Sequence, residues 1–213
     1  MKEPIITVCS GGSLGGWALP YITKANYVIG ADRGAQFLVE QGFSPDLAIG
    51  DFDSVSSEQA EAIRHASKQW LGFDAIDKDY TDTQLAIMHA LELQPAQIFL
   101  IGALGSRYDH ALANIQLLEV ALEQKISMSI IDQHNMIQLM EQKLTIEEHG
   151  FRYVSLLPYT ETVTGITLQG FKYPLNLATL TKGRSIGISN ELQNTKGTIT
   201  IHSGKLLVIQ SND

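Results

Sequence analysis

Leu47-Ala48-Ile49-Gly50-Asp51-Phe52-Asp53-Ser54 joins a short apolar run to a glycine and then to two carboxylates two residues apart. The polar segment Ser56-Ser57-Glu58-Gln59 follows and reads as a helix opening. Residues 47–49 read as the buried end of a strand, so the carboxylates occupy a strand-to-helix turn. In an open α/β sheet such turns lie along the carboxyl edge, where ligands bind. Two ionised carboxylates ~5 Å apart repel by about 3 kcal/mol at the effective dielectric of a protein surface. A divalent cation removes that repulsion, and hard oxygen ligands of this kind suit Mg2+. The competing reading is a polar turn in which Asp53 or Ser54 merely caps the next helix.

The same unit recurs on both sides. Upstream, residues 5–9 form a β-branched run that ends in Ser10-Gly11-Gly12-Ser13, with Gly15-Gly16 prolonging the turn. Glycines there admit close backbone approach to a phosphate. The stretch lacks the Lys of a Walker loop and the spacing of a dinucleotide fingerprint, so it also reads as a plain connection. Residues 27–30 make a second strand, followed by Ala31-Asp32-Arg33-Gly34 and an amphipathic helix, with Asp32 either a helix cap or a site residue. Downstream, residues 56–70 read as a helix. A second acidic cluster, Asp77-Lys78-Asp79-Tyr80-Thr81-Asp82-Thr83, precedes a helical pattern over 85–91, which Thr81 or Asp82 can cap. Residues 97–101 are a buried strand ending in Gly102-Ala103-Leu104-Gly105-Ser106-Arg107-Tyr108-Asp109-His110, and 111–118 read as a helix. The planar fork of Arg107 matches phosphate oxygens, or it pairs with Asp109. The turns at 10–16, 31–34, 50–54 and 102–110 each follow a strand, so all four are expected on one edge of a largely parallel sheet flanked by helices.

Past residue 133 the pattern changes to short strands at 136–140, 143–146, 153–157, 165–168, 185–188, 198–202 and 206–209, with one short helix at 175–180. Closely spaced strands with Gly, Pro and Asn punctuation predict an antiparallel sandwich or barrel. The expected organisation is an α/β domain over 1–135 followed by an all-β sandwich or barrel-like domain over 136–213. Gly187-Ile188-Ser189-Asn190-Glu191 is a polar turn within that half, with hydroxyl and amide groups suited to a neutral polar ring or simply to turning the chain.

Composition narrows the function. The 213 residues carry 15 basic and 23 acidic side chains, a net charge of −8, which argues against binding nucleic acid or an anionic membrane. The single cysteine, Cys9, excludes an internal disulfide framework. With no apolar run of about 18 residues and no signal-peptide pattern, a soluble cytoplasmic protein is expected.

Taken in order, Asp32-Arg33-Gly34, Gly50-Asp51-Phe52-Asp53-Ser54, Lys78-Asp79-Tyr80-Thr81-Asp82, Gly105-Ser106-Arg107-Tyr108-Asp109-His110 with Ala113-Asn114, and Gly187-Ile188-Ser189-Asn190 closely resemble the thiamine pyrophosphokinase family in its bacterial form. The resemblance spans nearly the whole chain. It implies transfer of a diphosphoryl group from ATP to thiamine, giving thiamine diphosphate and AMP. It also implies a homodimer with its active sites between subunits. On matching positions, Asp51, Asp53 and Asp79 would hold Mg2+ on the ATP phosphates. Asp32, Arg107 and Asp109 would line the nucleotide region, Asp82 and Arg107 would join Asp51, Asp53 and Asp79 in catalysis, and Ser189 and Asn190 would contact the aminopyrimidine of thiamine. Two departures stand out. Ser106 occupies a position that is often glycine in relatives, and the only tryptophans, Trp17 and Trp70, lie in the first half, so a thiamine-stacking Trp from the second half is excluded. The alternatives are a diphosphokinase for another small alcohol, such as a pterin, and a thiamine- or nucleotide-binding sensor without catalysis.

Overall fold

The computed structural model describes residues 4–72 and 80–213. The chain separates into two compact units, Met1–Gln133 and His134–Asp213. In chain order the first contains β1 (Ile5–Cys9), α1 (Leu19–Lys24), β2 (Tyr27–Ala31), α2 (Arg33–Glu40), β3 (Leu47–Gly50), α3 (Ser57–Ala66), β4 (Trp70–Gly72), α4 (Asp82–Glu92), β5 (Gln97–Ile101), α5 (Tyr108–Glu123) and β6 (Ser127–Ile131). All six strands pair in parallel, in the order β6-β5-β1-β2-β3-β4. Strands β1, β2, β5 and β6 each bury their last four residues in a row. That continuous burial is what a sheet covered by helices on both faces requires, and it explains why these strands read as unbroken apolar runs.

The strand order reverses at β1. From there β2, β3 and β4 extend to one side, and β5 and β6 to the other. Such a reversal opens a crevice at the carboxyl ends of the two central strands. The backbone seals its floor: Ser10 N donates to Ile101 O at 2.8 Å and Gly12 N to Gly102 O at 2.7 Å.

One expectation fails in this unit. The helix read over 56–70 ends at Ala66, and Trp70–Gly72 pairs with β3 instead. Ser67 adopts an extended conformation and caps the helix, and the three-residue strand beyond it is too short to show a period of its own.

The second unit contains β7 (Asn135–Met140), β8 (Lys143–Glu147), β9 (Tyr153–Pro158), β10 (Thr162–Gln169), β11 (Ala178–Thr181), β12 (Asn190–Glu191), β13 (Lys196–Thr200) and β14 (Leu206–Ser211). Two antiparallel sets form, β12-β9-β14-β7 and β11-β10-β13-β8. Val154, Leu156, Leu206 and Val208 from one set pack with Ile146, Val163, Ile166, Leu168 and Ile199 from the other in one buried core. This is a sandwich, with the inward-facing residues of β14 alternating with half-exposed ones. Two expectations are corrected. Residues 175–180 form no helix, because Ala178–Thr181 pairs with β10. Residues 185–188 are not a strand but a turn, with pairing delayed to Asn190–Glu191. Gly183 and Gly187 both have positive φ there, 78° and 109°, which breaks an extended run.

Candidate active site

Asp32 occupies a tight elbow. Strand β2 ends at Ala31 and α2 begins at Arg33, so a single residue makes the whole turn, at φ 49° and ψ −118°. Few L-residues adopt that conformation, and it persists only where the surroundings enforce it. The enforcing residues are glycines at Gly30-Ala31-Asp32-Arg33-Gly34. A β-carbon on Gly30 would lie 2.5 Å from Ala35 Cα, and one on Gly34 would lie 2.0 Å from Cys9 O. The same spacing around a strained strand-to-helix residue presents nucleophiles in other α/β folds. Here it presents a carboxylate. Although Asp32 stands at the N-cap position, its side chain makes no capping hydrogen bond. Its Oδ2 instead accepts from Ser54 Oγ at 2.5 Å, and its Oδ1 is buried without a hydrogen-bond partner among the described residues.

Ser54 belongs to the turn after β3. That turn is not the helix cap: Ser56 caps α3, accepting from Gln59 N at 3.2 Å while its own N donates to the Gln59 side chain at 2.8 Å. The carboxylates of Asp51 and Asp53 are therefore surplus to capping. Asp53 N donates to Asp51 Oδ1 at 3.1 Å, which folds the turn on itself. Carboxylate oxygens of Asp32, Asp51 and Asp53 then lie within 4.8 Å of one another. Three like charges so close repel by about 3 kcal/mol per pair, and hard oxygens at this spacing, one of them a buried acceptor unsatisfied among the described residues, match a Mg2+-sized cation. The sequence placed Asp51 and Asp53 in a metal set and Asp32 in the nucleotide region. The structure draws Asp32 into the same cluster. Asp79, the third expected ligand, lies outside the described residues.

A cleft of about 350 Å3 opens beside this cluster in the first unit. Its walls come from the turns after β1 (Ser10, Gly11, Gly12), β2 (Asp32, Arg33) and β5 (residues 102–107), and from Thr81, Asp82 and Thr83. Helices α2, α4 and α5 all begin at this rim, and their first backbone N–H groups favour anions. Carboxylates and helix N-termini together suit a polyphosphate carried with a cation. The crevice between β1 and β5 is where the reversed strand order predicts a ligand.

Two side-chain links hold the walls, and the sequence did not reveal either. Ser10 Oγ and Thr83 Oγ1, both buried, are 2.5 Å apart and tie the β1 turn to the start of α4. Buried Asn114 donates from Nδ2 to Ala103 O at 2.8 Å and fixes the loop leading to Arg107. Of the α4 caps considered, Thr81 serves, accepting from Gln84 N at 3.2 Å, while Asp82 lines the cleft.

Arg107 and Asp109 form a forked pair on the exposed rim, Nε to Oδ1 at 3.2 Å and Nη2 to Oδ2 at 2.7 Å. The Arg107 hydrogen bonds, followed by the His110 backbone N–H, hold the Asp109 carboxyl down to about 2. Because that value is depressed, the pair is intact above the ordinary carboxylate value and is lost only as pH falls toward about 2. Arg107 is therefore already partly neutralised by Asp109 across the pH range above that value. We expect the Asp109 carboxyl carbon, followed by NMR, to titrate near 2 and to rise toward the ordinary ~3.9 in Arg107→Ala. An unchanged midpoint would show that Arg107 is not the cause.

In the second unit Ser189 adopts φ 59°, is exposed, and donates its backbone N to Ser155 Oγ at 3.0 Å. Asn190 is buried and its amide is engaged: Oδ1 accepts from Tyr173 N and Glu191 N, and Nδ2 donates to Tyr173 O at 2.8 Å. Asn190 therefore fixes the turn that displays Ser189, next to the exposed side chains of Tyr173 and Ile188.

Comparison with known proteins matches both halves. Residues 19–130 fit the family model described as "Thiamin pyrophosphokinase, catalytic domain", and residues 141–206 fit "Thiamin pyrophosphokinase, vitamin B1 binding domain". A thiamine pyrophosphokinase of Bacillus subtilis is 40% identical over 196 residues, covering 91% of each chain. The crystal structure of thiamine pyrophosphokinase from Bacillus subtilis superposes with a TM-score of 0.91 at 37% identity, covering 98% of this chain and 99% of the other. That of thiamin pyrophosphokinase from Geobacillus thermodenitrificans superposes at 0.87 with 33% identity, covering 98% of each.

Proposed function

Because the chain belongs to the thiamine pyrophosphokinase family, we propose that it transfers the diphosphoryl group of ATP to the hydroxyethyl oxygen of thiamine in a Mg2+-dependent reaction, giving thiamine diphosphate and AMP. The observation that carries this reading is the cluster of Asp32, Asp51 and Asp53 beside a cleft ringed by helix N-termini. The thiamine hydroxyl oxygen bonds to the β-phosphorus, the bridging bond from that phosphorus breaks, and the bridging oxygen departs on AMP as the hydroxyl proton is released. Bound Mg2+ supplies charge neutralisation on the phosphates. Asp51, Asp53 and Asp79 are its proposed ligands, with Asp32 completing the set from the elbow. The rest of the work is positioning and electrostatics, which dominate phosphoryl transfer. The turns after β1 and β5 bear on the phosphates, Arg107 and Asp109 close the rim, and Asp82 completes the acidic wall. A loose transition state needs no strong base.

Thiamine is assigned to the second unit, where Ser189 meets the aminopyrimidine on the turn that Asn190 fixes, and Tyr173 and Ile188 offer apolar surface. A homodimer in the cytoplasm is the proposed working form. Among the described residues no helix is long and apolar enough to cross a membrane.

The test is product identity. Protein, ATP, Mg2+ and thiamine should yield AMP and thiamine diphosphate one for one, with none formed in excess chelator. ADP with thiamine monophosphate would contradict the proposed site of attack. Turnover of a pterin alcohol in preference to thiamine would discard the acceptor assignment.

A further inference from the structure

Phe52 lies between the two aspartates of the 50–54 turn, and the proposed chemistry gives it no task. Its φ of 56° is in the left-handed region, where a bulky aromatic is rare. Its ring is nonetheless buried, with only 7% of the residue exposed, and it stacks on Trp70 of β4 with ring centroids 3.9 Å apart and planes 18° from parallel. Ala35, Ala48 and Ile63 complete the pocket. The main chain thus places Asp51 outward, Phe52 inward and Asp53 outward again. Ala35 belongs to α2, which follows directly on the elbow residue Asp32, so one apolar cluster underlies all three carboxylates of the site.

We infer that the Phe52–Trp70 stack is a positioning device for the metal site: it holds the strained turn so that the Asp51 and Asp53 carboxylates converge with that of Asp32. This rests on the metal reading above. Strained turns at functional sites persist only when packing over-determines them, and here the strained residue is the one that is packed. Trp70 belongs neither to the carboxylate cluster nor to the cleft lining, and it reaches the site through its stack on Phe52. Groups that orient metal ligands typically change metal affinity by about 10- to 100-fold when removed.

The test is Mn2+ binding to the full-length protein, read from the loss of the free-ion electron paramagnetic resonance signal, in the parent, Trp70→Leu, Phe52→Leu, Trp70→Phe and Asp51→Asn. Thermal midpoints are measured alongside. The expected result is at least about tenfold weaker Mn2+ binding in Trp70→Leu or Phe52→Leu, whichever remains folded, with recovery in Trp70→Phe, which keeps a stacked ring. In turnover, the Mg2+ concentration giving half the maximal rate should rise by a larger factor than the saturated rate falls. Lower midpoints with Mn2+ affinity within twofold of the parent would overturn the inference, because a purely structural stack leaves the site's affinity alone. Mn2+ binding that is absent from the parent, or unaffected in Asp51→Asn, would instead overturn the metal reading on which the inference rests.

Discussion

Asp51→Asn is expected to lower turnover by at least about 10²- to 10³-fold, the scale of removing one preorganised electrostatic group, while the thermal midpoint stays close to the parent's. The two halves of that expectation have separate causes. Asp51 Oδ1 accepts the hydrogen bond from Asp53 N that folds the turn, and an asparagine carbonyl oxygen can accept the same bond. What the substitution removes is one negative charge from a set of three held within 4.8 Å of one another. In the free protein that relieves repulsion among the three carboxylates. On the proposed mechanism it also removes a charged oxygen ligand from the cation that offsets the polyphosphate. Steady-state rates at saturating ATP and thiamine, with unfolding followed by circular dichroism, check both halves. Activity within tenfold of the parent would remove Asp51 from the metal set.

Gly34→Ala should show the opposite pattern, with a large loss of stability. The new methyl carbon would sit 2.0 Å from Cys9 O and 2.5 Å from Cys9 C, both backbone atoms of the central strand. Neither can rotate away, so α2 must lift off the end of β1. Overpacking of this kind costs about 1–3 kcal/mol, and the upper end applies where backbone meets backbone. At about 3 kcal/mol a chain of this size loses about 6–12 °C in thermal midpoint. The protein that stays folded should also be less active, because lifting α2 moves Asp32 out of the cluster. Gly16→Ala is the control. No heavy atom lies within 4 Å of the added carbon and the backbone there is not left-handed, so the midpoint should hold within about a degree or two. Equal midpoints for the two variants would show that the elbow tolerates the methyl group.

The parallel sheet was legible because burial on both faces writes each strand as an unbroken apolar run, and each run ends in a polar turn. Placing those turns on one edge needed only the alternation of strand and helix. Trp70–Gly72 was not legible: three residues cannot display a period, and the helical pattern before them runs on smoothly. The turn at 185–188 was hidden for a related reason, since Ile186 and Ile188 look like strand residues, and only the left-handed backbone at Gly183, Gly187 and Ser189 shows otherwise. Within the site, carboxylates two apart after a glycine announced Asp51 and Asp53. The convergence of Asp32 depends on an elbow whose dihedral angles no composition encodes, although the glycines two residues to either side of it were a readable signal. The Ser10–Thr83 link and the Phe52–Trp70 stack join residues far apart in the chain, so spacing along the sequence could not expose them. Asn190 shows the converse: its residue type suited a ligand contact, and the structure shows its amide engaged with backbone.

The most direct test of the account is a crystal of the protein grown with Mn2+ and an ATP analogue carrying a methylene bridge between the α and β phosphorus atoms, so that the bond to be broken is preserved. Anomalous scattering then locates the metal. The expected peak is bonded to carboxylate oxygens from the set Asp32, Asp51, Asp53 and Asp79, those of Asp51 and Asp53 among them, and to phosphate oxygens of the analogue lying between the turns after β1 and β5. A peak bonded to phosphate oxygens alone, with the 50–54 turn making no contact, would contradict it.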